Sequence, residues 1–565
     1  MVRNIVVGAL GCALLACGSG GPTGKQIVLG AVVDQTGTEA ESSWIQAAHL
    51  AVDQMNQALA AEGHTDFQFS LRVQDSENIP AKGVARALDM VHNQHASALI
   101  VDTTQVIEAV LSTFYDDDPS NDLGVPVQCS SCTSGNLLNY TYNNPAVGGA
   151  PDPTSTPILD DVRRNTGLWM QRTTMTTVPM AFVAGYVLND HLPGGLDRNG
   201  DGIIKVAVIG SNEAFGQSGT AAIRANWPSN DSANKIGLLD LPIANDATGK
   251  LFIERILHPN AVNPADVDFN AKDPDHGGQS YIQRLLDDTT ECEACAAIVY
   301  NGDSAHPVTP ATSIADGHPV DYIIMITFQQ FAANFAKQYK QYVTSLTSGG
   351  MTPDAPPLLH YHTFRQSGSI FQLGQIADGQ IGISHGLVNT TDAGTIYARD
   401  FRVAYGFDTN FWDSGYYDNA MTFMLSALIA QVEERQTGVD PNVIVPNPTT
   451  IRDRMQCINA SVARTYAPPA TYPNPQPWVN CPADGATHVG PGLDYLRTAV
   501  REIYAGRGID YDGASGPMDY DFQKNVRDTV EFYEVQGNKF VTRDVYNCLS
   551  FADNKCGVAT PILVK

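Results

Sequence analysis

The chain has 565 residues, of which 43% are apolar and 17% charged; it is long enough for two or three domains with sizeable cores and is not disordered as a whole. Sixty acidic against 34 basic residues give a formal charge of -26 with no visible lysine/arginine patch, which argues against a nucleic-acid partner because neutralising phosphates needs one. The only long apolar run, Ile5 to Ala16, is about half the length of a bilayer-crossing helix, so a multi-pass transporter is excluded.

That run reads as an export signal: Arg3 is the basic n-region, Ile5 to Leu15 the h-region, and Ala16 the small residue at the cut. Cys17 follows, then the flexible Gly18 to Gly24 tether. Leu14-Leu15-Ala16-Cys17 resembles the lipobox of bacterial lipoproteins, which implies a lipid on Cys17 and an extracytoplasmic protein anchored to a membrane rather than spanning it. The other reading is a plain secretory signal that contains a cysteine.

From Ile27 onward, strands and helices alternate. Ile27 to Val33 is a short β-branched run, and Ile45, Ala48, Val52, Met55 and Leu59 then recur at helical spacing. Phe67 to Val73 predicts a strand, Ala81 to His92 a helix, Ala98 to Val101 and Val125 to Gln128 buried strands. The buried-strand signal returns at Lys205 to Ile209, Ala296 to Tyr300 and Tyr322 to Thr327, with helices over Ser218 to Trp227 and Gln279 to Asp288. Such alternation implies doubly wound parallel sheets, whose ligands bind beyond the carboxyl ends of the strands.

Several segments, in order, resemble the branched-chain-amino-acid-type (Leu/Ile/Val-binding-like) periplasmic binding proteins that serve ABC transporters. They are Ile27 to Val33 with Thr36-Gly37 and the Ala47 to Asn56 helix, Leu71 to Ser76 with Pro80 to Ala85, and Lys205 to Ile209 with Phe215-Gly216. Phe401 to Gly406 with Tyr416 to Ala420, and Gly516 to Asp521 followed by Glu531 to Phe540, complete the set. The resemblance implies a type I periplasmic binding protein fold, in which two doubly wound α/β lobes joined by three crossovers close on a ligand. The boundaries it implies are a signal peptide at 1–16, a tether at 17–24, lobe 1 at 25–174 and 388–529, and lobe 2 at 175–387 and 530–565. The chain is longer than the family's members, and the excess falls in insertions near 116–122, 141–165, 257–278, 303–318 and 436–500.

The resemblance places the pocket as well. Thr103 and Thr104 after Val101, and Ser130, Ser131 and Thr133 after Gln128, fall where the family holds a ligand carboxylate. Hydroxyls beside a helix N-terminus suit an anion, although serine and threonine also cap helices there. Phe215, Tyr300, Asn301 and Asp303, and Thr363 with Phe364, fall at second-lobe strand ends. Asp303, Asp418 or Asp102 could pair with an ammonium group. The implied function is capture of a small polar solute, an amino acid or related carboxylate or amide, and delivery to an ABC permease. The alternative is a sensory or cell-surface interaction protein that keeps the fold.

Cys12 in the signal and Cys17 at the cut leave eight cysteines, in near-neighbour pairs: Cys129/Cys132, Cys292/Cys295, Cys457/Cys481 and Cys548/Cys556. In an exported chain these read as disulfides; a four-thiolate zinc site would need two distant C-x-x-C pairs to converge. Asp197, Asn199 and Asp201 resemble the start of a calcium loop, but position twelve is Val208 rather than an acid, so a structural Ca2+ there would need another ligand; no cofactor is otherwise required. No enzyme motif is present: Gly216 to Gly219 lacks nucleophile-elbow spacing, and His92/His95 lack the H-E-x-x-H glutamate. His360 and His362 flank Tyr361 and could touch a ligand or a metal, with a structural role the expected one.

Overall fold

Strand β1 (Lys25–Val33) is apolar on both faces, and the two faces belong to different cores. Ile27, Leu29, Ala31 and Val33 pack with one layer of helices, Val28 and Val32 with another. Period-two side chains allow this only in the middle of a sheet covered on both sides. The computed structural model accordingly sets β1 between β2 (Phe67–Asp75) and β3 (Ala96–Val101). With β4 (Val127–Cys129) and β5 (Met170–Arg172) they form a parallel sheet in the order β2-β1-β3-β4-β5. Helix Ser42–Ala61 covers one face together with helices Asp413–Gln436 and Leu493–Tyr504, while helices Pro80–His92 and Thr104–Phe114 pack on each other over the opposite face.

The structure describes residues 25–37, 40–115, 120–134, 137, 169–192, 195, 198, 204–211, 214–226, 229–231, 236–238, 250–257, 268–271, 280–286, 321–351, 355–386, 391–438, 442–459, 481, 486–520, 526, 528–548 and 563–564. The expected strand at Ala296 to Tyr300, and all or most of the first four expected insertions, lie outside them.

After β5 the chain crosses to a second sheet. There β6 (Ile204–Ser211), β9 (Lys250–Leu257), β10 (Tyr322–Ile326), β11 (Leu358–His360) and β12 (Ile381–His385) run parallel in the order β9-β6-β10-β11-β12; β7 (Ser229–Asp231) and β8 (Ile236–Leu238) form a separate hairpin. Val206, Val208, Ile324 and Ile326 face helices Thr177–His191 and Ala214–Asn226, and Ala207, Ile209, Ile323 and Met325 face helix Gln329–Ser348. The chain then returns to the first lobe for helices Asp392–Tyr405 and Asp413–Gln436, β13 (Thr487–Val489), β14 (Ile509–Gly513) and β15 (Gly516–Pro517). A third crossing delivers β16 (Thr529–Gln536), β17 (Lys539–Asn547) and β18 (Leu563–Val564) to the second sheet. This is the two-lobed, doubly wound α/β architecture with three crossings.

The second sheet departs from the all-parallel expectation at its end, where β12, β16, β17 and β18 pair antiparallel. For β16 and β17 the cause is local: Gly537 and Asn538, at φ 56 and 60, make a two-residue turn, and strands joined that tightly must be antiparallel. In its described parts the 436–500 stretch is not a loop but carries helix Pro448–Arg454, β13 and the start of helix Leu493–Tyr504. Among the described residues, no helix is long and apolar enough to cross a membrane.

Candidate functional site

The first lobe builds its side of the site just past β3 and β4. Thr103 holds φ +53, a conformation rare outside glycine; its N–H donates to Ser131 Oγ at 3.0 Å and its hydroxyl to Asn78 Oδ1 at 2.7 Å. Thr104 opens the 11-residue helix Thr104–Phe114, and its Oγ1 is buried with no hydrogen-bond partner. Orphan N–H groups and the helix dipole there favour negative charge. The Cys129–Cys132 disulfide, with Cα atoms 5.8 Å apart, closes the loop that carries Ser131.

Two tryptophans complete this wall. Trp44 stacks on Tyr416, centroids 5.0 Å apart and planes 9° from parallel, and its Nε1 donates to the Phe411 carbonyl at 3.1 Å. Trp412 sits at φ +74 and turns the chain into helix Asp413–Gln436. The Asp413 carboxylate fixes that turn, accepting from Asn410 N–H and from Ser43 Oγ, each at 2.6 Å.

The second lobe answers with Phe215 after β6, Phe328 after β10, and His362 and Thr363 after β11. The His362 ring lies 5.1 Å from Phe215 and 5.3 Å from Trp412, and its Nε2 is 3.4 Å from Thr133 Oγ1 of the first lobe. Thr363 Oγ1 donates to the Thr327 carbonyl. These residues, with Trp44, Thr103, Thr104, Ser131 and Trp412, line a narrow interlobe hollow of about 20 Å³. A larger hollow of about 350 Å³ beside the Cys457–Cys481 disulfide is a poorer candidate. Two of its charged lining residues, Glu433 and Arg454, pair with each other, and it touches neither the strand ends nor the second lobe.

Among the described residues, no charged side chain lines the interlobe hollow. Its one histidine, His362, is held neutral. Burial pushes His362 well below the usual imidazole range, and the neighbouring His385 adds to the effect. His385, with its ring 5.0 Å from His362, is pushed down to about 3, first by burial and then by the charge of Arg172. Buried Arg172 donates to the carbonyls of Cys132 and Ser134.

Five of the residues expected from sequence meet in this hollow: Thr103, Thr104, Ser131, Phe215 and Thr363. Thr133 stands behind it, against His362. Four others stand away from it. Ser130 is turned inward, 2.8 Å from Thr173 Oγ1 and accepting from Asn419 Nδ2, where Gly415 lets the long helix approach (a β-carbon there would lie 2.8 Å from the serine oxygen). Phe364 is core, stacked on His360 at 3.8 Å, because the single turn His362–Phe364 sends residue 364 back under the sheet. Asp418 has both its oxygens taken by Tyr511 Oη, the N–H groups of Ala514 and Ser515, and Ser515 Oγ, and ties the long helix to the β14–β15 turn. Burial raises its pKa to about 6. Asp102 likewise serves the backbone, accepting from Asp34 N–H at 2.5 Å, and does not line the hollow.

Tyr300, Asn301 and Asp303, Cys17, Cys292, Cys295 and Cys556, and Asp197, Asn199 and Asp201 lie outside the described residues. Cys129–Cys132 and Cys457–Cys481 are bonded as near neighbours, so the zinc alternative is closed for the first C-x-x-C pair. Cys548 is also disulfide-bonded. Sequence reasoning missed Trp44, Phe328 and Trp412, and gave His362 a structural role. The available signal was position: Phe328 and His362 directly follow buried strands, and both tryptophans stand at helix starts, where a chain of only five tryptophans rarely places one.

No protein-family model matches the sequence, and no curated protein matches it. Solved structures do share its fold. One is the branched-chain amino acid transporter substrate-binding protein LivJ of Streptococcus pneumoniae in complex with isoleucine, at 12% identity and a TM-score of 0.50, covering 92% of this chain and 100% of that one. Another is a solute-binding protein of an ABC transporter of R. palustris in complex with benzoate, also at 12% and 0.50, covering 95% and 97%. The chain thus has the type I periplasmic binding protein fold, that of solute-binding proteins of the branched-chain-amino-acid type.

Proposed function

We propose that this chain is an extracytoplasmic solute-binding protein, lipid-anchored through Cys17, that closes its lobes on a small carboxylate or amide and presents it to an ABC permease. The observation that carries the reading is the convergence of strand-end groups from both lobes, Thr103, Thr104 and Ser131 facing Phe215, His362 and Thr363, on one hollow. A solute bridging those walls has more contacts in the closed form, so binding shifts the population toward closure. The permease then distinguishes loaded from empty protein by shape. The role is binding without bond-making chemistry.

The test is thermal shift of the exported protein, stripped of copurified ligand, against carboxylates, amino acids, amides, short peptides and sugars. A true ligand at 100 times its Kd adds about 2.7 kcal/mol of stability. The double variant Thr104→Ala/Ser131→Ala should abolish that gain. A panel without a single hit would sink the transport reading and favour the ligand-sensing or cell-surface alternative.

A further inference from the structure

The walls of the interlobe hollow carry more information than the fold. Four aromatic side chains line it, Trp44 and Trp412 from the first lobe and Phe215 and Phe328 from the second. The rest of the lining is uncharged and polar. An α-amino acid needs a carboxylate for its ammonium, and among the described residues no acid lines the hollow. The nearest acids lie off it: Asp413 holds Ser43 and Asn410, Asp418 holds the β14–β15 turn, Glu41 accepts from Ser367 across the lobe seam, and Asp102 gives one oxygen to Asp34 N–H. A buried ammonium left without a partner is strongly disfavoured.

The local field has the opposite sign. The N-terminus of helix Thr104–Phe114 opens on the hollow, and buried Arg172 stands close enough to depress His385. Two buried hydrogen-bonding atoms of the lining have no protein partner: Thr104 Oγ1, in a residue 4% exposed, and His362 Nδ1, in a residue 1% exposed. Buried polar atoms are nearly always satisfied, so a pair of such atoms on facing walls marks where a bound molecule completes the bonding. The aromatic cage also fits a quaternary ammonium in principle, but the helix terminus and Arg172 oppose a cation there.

We infer that the solute is an aromatic carboxylate without an ammonium group, its ring packed among Trp44, Trp412, Phe215 and Phe328, its carboxylate on Thr104 and the helix terminus, and His362 its hydrogen-bonding contact on the second lobe. The inference rests on the interlobe hollow being the solute site, and names the class of molecule that site takes.

Calorimetry on the stripped protein with benzoate, phenylacetate, phenylalanine, leucine and glycine betaine separates the cases. Benzoate or phenylacetate should bind, and the two amino acids at least tenfold more weakly or not at all. Thr104→Ala should remove that binding. His362→Phe, which keeps an aromatic ring but no ring nitrogen, should weaken it about tenfold while the thermal midpoint of the unliganded protein holds. If leucine or phenylalanine binds instead, and Asp303→Asn removes it, the ligand class is wrong and the solute site stands. Preference for glycine betaine overturns the class in the same way. Aromatic acids binding equally well to Thr104→Ala and Trp412→Phe place them outside the hollow and overturn the inference. No binding by any of the five overturns the inference, while the reading on which it rests falls only if the amides, peptides and sugars also fail.

Discussion

The two walls of the hollow are built differently. The first-lobe wall hangs on a polar framework: Thr103 is tied to Ser131 and Asn78, Ser130 to Thr173 and Asn419, Asp413 to Ser43, and a disulfide closes the loop between. The second-lobe wall hangs on ring packing, with Phe215 on Phe328 at 6.2 Å and His362 edge-on to Phe215 and Trp412. Hydrogen bonds fix direction and rings fill volume, so the first lobe is suited to hold a ligand's polar head in one orientation and the second to cover its body.

Each lobe also buries an acid away from the hollow, and these give the largest tests of the contrast. In the second lobe Glu531 accepts from Arg365 at 2.6 Å, both nearly fully buried, with Ser384 and Thr542 completing the cluster. Glu531→Ala leaves a buried guanidinium without its counter-charge and should cost about 3–5 kcal/mol in denaturant unfolding. A loss below about 1 kcal/mol would show that ring packing alone holds that lobe together.

Asp418 is the first-lobe counterpart, with neutral donors in place of a cation. Asp418→Ala should cost about 3 kcal/mol, since it strands several buried donors. Its folded pKa of about 6 lies above the ordinary aspartate value of 3.8, so the folded state binds more protons between those limits. Stability from this group is therefore fully present below the unfolded pKa and is lost as pH rises through about 6. The shift corresponds to about 3 kcal/mol over that window. Asp418→Asn should flatten this part of the stability–pH curve, and an unchanged curve would assign the dependence to other buried acids.

The disulfides give the smallest and most local test. Cys457–Cys481 joins residues 24 apart and lies off the interlobe hollow; Cys129–Cys132 joins residues 3 apart and frames Ser131. By loop closure, opening the first should cost about 3 kcal/mol and the second about 2. Ligand affinity should reverse that order: alanine at both Cys129 and Cys132 weakens binding severalfold by freeing Ser131, and alanine at Cys457 and Cys481 leaves it unchanged. Equal effects on affinity would mean that the short disulfide does not frame the site.

Much of this was legible along the chain. Alternating apolar strands and amphipathic helices specify doubly wound lobes, because a strand apolar on both faces has to lie inside a covered sheet. Strand ends are where such folds offer a hollow, and Thr103, Thr104, Ser131, Phe215 and Thr363, read there from the sequence, line one. Local signals also identified the near-neighbour cysteine pairs.

Direction and assembly were decided only in three dimensions. Ser130 and Ser131 are the same residue type one position apart, yet one faces the long helix and the other the hollow, because a Gly415 nearly 300 residues downstream admits Ser130. Asp418 looked free to meet an ammonium until the β14–β15 turn, almost 100 residues on, claimed both its oxygens. Trp44, Trp412 and His362 come from distant segments and carry no local motif, and only the closing of two lobes makes them neighbours. Sequence determines which groups a strand end offers; the long-range packing of helices and lobes selects which of them reach the ligand.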